Sequence, residues 1–175
     1  MLKPGDSAPD FDLPAANADR IERVSLAKIS SELILLFFYP RDFSFICPTE
    51  VTGFNNARAQ LSAENTAILG ASVDDAESHR RWARELGGIG YPLLADQDGK
   101  LARAFGVFDE KEQVALRATF ILDRQRTVAF SLACPLNVGR SVGEMIRLVS
   151  ALRSGQLCPA DWTPGVQFGR SDRKF

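Results

Sequence analysis

Cys47 is the residue with the most chemistry to offer. It stands in the stretch Pro40-Arg41-Asp42-Phe43-Ser44-Phe45-Ile46-Cys47-Pro48-Thr49-Glu50, directly before a proline. Proline suits the first helical position, because that amide would be unpaired anyway. Cys47 is therefore expected at a helix N-cap, where unpaired amides and the helix dipole favour negative charge. A thiol so placed ionises below its free value of roughly 8.5 and becomes a nucleophile. Glu50, one turn on, works against this, since a nearby carboxylate disfavours a thiolate unless a cation offsets it. The chain offers Arg117 and Arg140, and either could pair with Glu50 and face Cys47. Taken alone, Arg140 reads as solvated surface. The plain alternative for Cys47 is a small buried hydrophobe. Against it stand Pro48, the polar neighbours Ser44, Thr49 and Glu50, and a position just past a strand.

That strand is the apolar run Leu33 to Tyr39, which suits a strand covered on both faces and stops at Pro40. Before it, Phe11-Asp12-Leu13 and Ile21-Glu22-Arg23-Val24 alternate and predict a small hairpin, and Ser25 to Ser31 a helical turn. After it, Val51, Phe54, Ala57 and Leu61 recur at helical spacing and predict one helix from Cys47 to about Ala63. Gly53 within it costs about 1 kcal/mol relative to alanine, with no reason visible in the sequence. A strand over Thr66 to Val73 follows, then a helix capped by Asp74 or Asp75 and ended by Gly87-Gly88. Its face carries His79 and Trp82, and His79 is expected to pack beside Trp82. Tyr91 to Ala95 reads as a short strand, and a short helix ends at Gly106. Val114 to Leu122 and Thr127 to Ala133 predict an antiparallel hairpin with Arg117, Thr119 and Ile121 on one face. Ser141-Val142-Gly143-Glu144 is a capping box that starts an amphipathic helix ending at Gly155. The expected fold is α/β: a thioredoxin-like domain over residues 1–155, a mixed sheet flanked by helices with an N-terminal hairpin, followed by an extended C-terminal tail over 156–175.

The totals set limits. A chain of 175 residues fits one domain. A formal net charge of −1 gives no bulk pull toward nucleic acid or anionic membrane. The longest apolar run is too short to span a bilayer. The N-terminus lacks the apolar core of a signal peptide, which points to a cytoplasmic protein. In that setting three cysteines are free or catalytic rather than a structural framework. The chain has no Cys-x-x-Cys and no His-Glu-x-x-His, and its single histidine leaves little for zinc. Asp96-x-Asp98 hints at a calcium loop, but Val107 stands where the closing glutamate belongs. No phosphate-binding glycine loop is present.

Pro40-x-x-x-Ser44-x-x-Cys47 resembles the active-site signature of peroxiredoxins, and the wider Phe37-to-Glu50 string resembles their typical two-cysteine group, which includes the catalytic subunit of bacterial alkyl hydroperoxide reductase. Gly70-Ala71-Ser72-Val73-Asp74, Ser78-His79 with Trp82, Tyr91-Pro92-Leu93, Arg117 to Asp123, Val138-Gly139-Arg140-Ser141 and Cys158 to Gly165 extend the match from Pro4 to about Gly165. The resemblance implies that Cys47 is the peroxidatic cysteine, oxidised to a sulfenic acid. It implies that Ser44 bonds the peroxide, Pro40 shields the thiolate, Arg117 stabilises thiolate and peroxide, and Glu50 and Arg140 orient Arg117. Cys158 would be the resolving cysteine, forming a disulfide with Cys47 of another subunit.

The resemblance further implies a peroxide substrate and no metal or organic cofactor. It implies a homodimer as the minimum unit, which family members often build into a decameric ring, recycled by thioredoxin or a flavoprotein disulfide reductase. Cys134 has no place in the pattern and reads as a partly buried thiol; a haem site at the Cys-Pro pairs is disfavoured. Gly87-Gly88-Ile89-Gly90 matches a loop linked to easy overoxidation, but Arg170-Ser171-Asp172-Arg173-Lys174-Phe175 stands where its Tyr-Phe helix would be, which implies robustness to excess peroxide. The competing readings are a one-cysteine peroxidase with Cys158 idle, and a redox-regulated chaperone or signalling relay.

Overall fold

The computed structural model describes residues 1–169; the expectation tied to Arg170–Phe175 lies outside them. The described chain forms β1 (Asp12–Asn17), β2 (Arg20–Ser25), a 3-10 turn (Leu26–Lys28), β3 (Leu33–Phe38), α1 (Cys47–Asn56), α2 (Arg58–Ala63), β4 (Thr66–Ser72) and α3 (Ala76–Glu85). It continues with β5 (Leu93–Ala95), α4 (Lys100–Ala104), β6 (Phe108–Asp109), β7 (Val114–Ala115), β8 (Arg117–Leu122), β9 (Val128–Cys134) and α5 (Val142–Ser154).

Seven strands make one mixed sheet in the order β2-β1-β5-β4-β3-β8-β9. β3 lies at its centre, parallel to β4 and antiparallel to β8. Every residue of β3 is buried, so its apolar run covers both faces of the sheet. Leu33, Leu35 and Phe37 continue to Tyr39 on one face, where they meet Val51 and Phe54 of α1, Trp82 of α3, and Met145 and Val149 of α5. Ile34, Leu36 and Phe38 on the other face meet Leu101, Ala102 and Phe105, in and just after α4. This two-sided covering is the thioredoxin-like arrangement expected from the element order. Among the described residues no helix is long and apolar enough to cross a membrane.

Several expected boundaries move. The helix from Cys47 breaks at Ala57 into α1 and α2. Cys47 is the first helical residue rather than the N-cap, which is Ile46 in a helical conformation. The strand expected over Val114 to Leu122 divides at Leu116, whose amide donates to Val107 O (2.8 Å), and its first part pairs with β6 in a separate ribbon. Gly53 gains an explanation: a Cβ there would lie 2.9 Å from Val142 Cγ2, so the glycine lets the start of α5 press against α1.

Candidate active site

Cys47 opens α1 just beyond the carboxyl end of β3 and is fully buried. Arg117 opens β8, the strand beside β3, and points to the same face of the sheet as Thr119 and Ile121. Its Nη1 lies 3.4 Å from Cys47 Sγ and 2.8 Å from Glu50 Oε2, while its Nε donates to Leu136 O at 2.7 Å. One guanidinium thus bridges the sulfur, the carboxylate and a loop carbonyl, and the fork geometry fixes its plane.

Glu50 is reached from the other side by Arg140, just before α5. The Arg140 backbone amide and Nε both donate to Glu50 Oε1 at 2.9 Å, and Nη2 donates to Oε2 at 2.9 Å. Arg140 Nη1 donates to Ala118 O (2.6 Å) and Thr119 Oγ1 (3.3 Å) of β8. Its guanidinium lies 5.3 Å from the centre of the Phe37 ring, a favourable seat for a buried cation. Gly139 permits this approach, since a Cβ there would sit 3.2 Å from Ile46 Cγ2 and 3.9 Å from Glu50 Oε1. Arg140 is therefore a buried partner and not the solvated residue it suggests when taken alone.

The charges are closely matched. Burial pushes the Glu50 carboxyl up, but the hydrogen bonds and charge of Arg140 and the charge of Arg117 outweigh it. The group is held below its ordinary value of 4.5. With Glu50 ionised, its charge is offset by one arginine and the second is left for Cys47. Burial pushes the Tyr91 phenol well up, so it stays protonated and donates to Val51 O of α1 at 2.8 Å.

The loop between β3 and α1 is fixed by residues whose role the sequence reading missed. Asp42 is buried: its carboxylate accepts from Tyr39 Oη (2.9 Å) and Ser78 Oγ (2.9 Å) and meets His79 Nδ1 at 2.9 Å. The Asp42 amide donates to Asp74 Oδ2 (2.8 Å), which also accepts from Ser72 Oγ. Leu94 O can only accept, so His79 Nε2 carries the proton of their 3.1 Å bond. His79 is thus a buried polar anchor rather than a packing partner of Trp82 alone. A tyrosine and an aspartate three residues apart, with a lone histidine on the next helix, were the available signal. Asp42, Asp74 and His79 are the group among the described residues whose ligand atoms converge, within 4.8 Å, but hydrogen bonds already engage each residue. Phe43 follows with φ 53°, a strained value for a bulky residue, and packs near Trp82.

The structure brings Cys47, Glu50, Arg117 and Arg140 together. Pro40 and Ser44 lie in the same loop, and the buried Ser44 hydroxyl has no hydrogen-bond partner among the described residues. Cys134 ends β9 directly across from Arg117 and is half-buried. Cys158 stands apart. Its sulfur is 3.5 Å from Ser154 Oγ and 3.9 Å from Ala151 O, at the C-terminal end of α5. The start of α5 touches α1, whereas Arg153 at its far end reaches Glu32 and Glu64, beside the starts of β3 and β4. The 13 residues of α5 span about 20 Å, and Cys158 sits at the end of α5 opposite the one that packs on α1.

A model of the AhpC/TSA family matches residues 4–131. The chain is 38% identical to the 2-Cys peroxiredoxin BAS1, chloroplastic, of Spinacia oleracea, over 98% of this chain and 69% of that protein. It is 40% identical to peroxiredoxin prdx-2 of Caenorhabditis elegans, over 92% of this chain and 85% of that one. Among solved structures, reduced 2-Cys peroxiredoxin of Plasmodium vivax superposes with TM-score 0.89 at 31% identity, covering 96% of this chain and 93% of that chain. The expected cytoplasmic placement is overturned by such relatives. The spinach protein and counterparts from Arabidopsis thaliana (37% identical) and Hordeum vulgare (38% identical) are chloroplastic, so the missing apolar run at the N-terminus does not assign a compartment.

Proposed function

This chain belongs to the AhpC/TSA family, and from that premise we propose a two-cysteine peroxidase cycle run by Cys47 and Cys158. Membership makes it a thiol-dependent peroxidase, an oxidoreductase. The observation that carries the finer reading is the Arg117 guanidinium set between Cys47 Sγ and Glu50.

In the first step the Cys47 thiolate attacks one oxygen of hydrogen peroxide or an alkyl hydroperoxide. An S–O bond forms, the O–O bond breaks, and the leaving oxygen takes a proton and departs as water or alcohol. Sulfur is oxidised by two electrons to the sulfenic acid. Negative charge grows on the leaving oxygen, where Arg117 is preorganised to receive it. The free Ser44 hydroxyl holds the peroxide, Pro40 keeps water off the sulfur, and Glu50 and Arg140 fix the plane of Arg117.

In the second step Cys158 attacks the sulfenic sulfur: the S–S bond forms, the S–O bond breaks, and water leaves. A disulfide needs Cα atoms about 4.4–6.8 Å apart, far less than the length of α5, at whose far end Cys158 sits. That supports Cys158 of a second subunit as the partner and a homodimer as the working unit, the unit from which a decameric ring would be built. An external dithiol, thioredoxin or a flavoprotein disulfide reductase, then returns both thiols.

Non-reducing electrophoresis after one equivalent of peroxide tests the cycle. Wild-type protein should run as a covalent dimer, and Cys47→Ser and Cys158→Ser as monomers. A Cys158→Ser protein that still turns over with a dithiol reductant at the wild-type rate would instead make Cys158 idle.

A further inference from the structure

The segment that carries Cys158 is tied to its own helix. Residues 156–169 form no helix or strand but fold back in turns on α5. The Trp162 amide donates to Pro159 O (3.1 Å), and the buried Trp162 ring stacks on Phe168 at 5.2 Å. Trp162 Nε1 donates to Val166 O at 2.9 Å, closing the turn on itself. The polar tie from this turn to the body of α5 is Arg147. Its Nη1 donates to Trp162 O at 3.0 Å, while Nε and Nη2 donate to the two oxygens of Glu144 at 2.6 and 2.7 Å. Glu144 sits in the first turn of α5, beside its Ser141 cap, so the clamp is anchored to a rigid stretch of helix.

In the parked position the Cys158 sulfur faces Ala151 O and Ser154 Oγ, at the C-terminal end of α5. Cys158 must leave that seat to reach a sulfenic sulfur on another chain. We propose that Arg147, held by Glu144, is a positioning residue that keeps the Cys158 segment docked on α5 and so sets the rate of disulfide formation. The inference rests on Cys158 as resolving cysteine. It assigns to Arg147 control of the second chemical step without a part in the first, because Arg147 touches neither Cys47 nor Arg117.

The test separates the steps. Reduced Arg147→Met protein is mixed with limiting hydrogen peroxide in a stopped flow. Cys47 oxidation and the later disulfide step are followed as separate phases, and the covalent dimer is quantified by acid quench. Cys47 oxidation should match wild type, and disulfide formation should be about tenfold faster, the worth of one charge-assisted hydrogen bond. Alkylation of Cys158 in the reduced protein should rise by a similar factor, and the fraction of sulfinylated Cys47 at excess peroxide should fall. Arg147→Lys, which keeps a donor for Trp162 O, should lie between. An unchanged or slower disulfide step with normal Cys47 oxidation overturns the proposal. If Arg147→Met fails to fold, Glu144→Gln decides, with acceleration supporting the clamp and an unchanged rate rejecting it. Failure of the underlying reading looks different: wild-type protein itself would form no Cys158-dependent dimer.

Discussion

Replacing Arg117 with methionine removes the guanidinium but keeps a side chain of similar bulk in the buried slot. The interaction lost is worked from the 3.4 Å between Nη1 and Cys47 Sγ. Opposite unit charges at that distance attract by about 5 kcal/mol at an effective dielectric of about 20. This is a ceiling, because Arg140 still offsets the charge of Glu50 when Arg117 is gone. Removing a preorganised donor from a developing anion costs about 10²- to 10³-fold in rate, and that is the loss expected in the second-order constant for Cys47 oxidation. Arg117→Lys keeps the charge but cannot serve Leu136 O, Glu50 and Cys47 from one fork, and should lose about tenfold. The assay is stopped-flow oxidation of reduced protein, with thermal melts to confirm that each variant is folded. An Arg117→Met protein that melts cooperatively yet reacts within about threefold of wild type, under 1 kcal/mol of barrier, would refute the reasoning.

Four further outcomes follow from the structure. Arg140→Met leaves Glu50 with one of its two cations and should cost about 3–5 kcal/mol in denaturant unfolding. Arg23→Met, at the exposed pair with Asp12, should cost under about 1 kcal/mol. Because the folded-state Glu50 carboxyl is held below 4.5, the folded protein binds fewer protons there than the unfolded chain. Its contribution is full above that value and is lost as pH falls through the lower folded value, so Glu50→Gln should flatten the acid limb of a stability–pH curve. Asp42→Asn removes the charge from the anchor of the β3–α1 loop and should cost about 1–3 kcal/mol, with faster proteolytic cleavage near the exposed Phe43 and Phe45.

The elements around the site were largely legible because their signals are local. An unbroken apolar run forces a covered strand, and Cys-Pro at its far end marks a helix start. The pairing of Glu50 with two arginines could be stated only as a need for charge balance. Which carboxylate oxygen each guanidinium takes depends on Gly139 approaching Ile46, a contact 93 residues apart in the chain. Gly53 was opaque for the same reason, since its partner Val142 lies on another helix. The Asp42–His79 anchor was missed because each residue alone reads as surface or packing, and burial is set by strands that meet only in the fold. The docked Cys158 segment has no periodicity to read, as turns closed by Trp162 and Arg147 leave no repeating pattern.

The most direct measurement is to trap the product of the first step. Reduced Cys158→Ser protein is treated with one equivalent of hydrogen peroxide in the presence of a sulfenic-acid reagent, and the adduct is located by peptide mass spectrometry. The adduct should form on Cys47, in proportion to the peroxide consumed, and vanish in Cys47→Ser. Peroxide consumed with the label on Cys134, or with Cys47 left as a free thiol, would contradict the account.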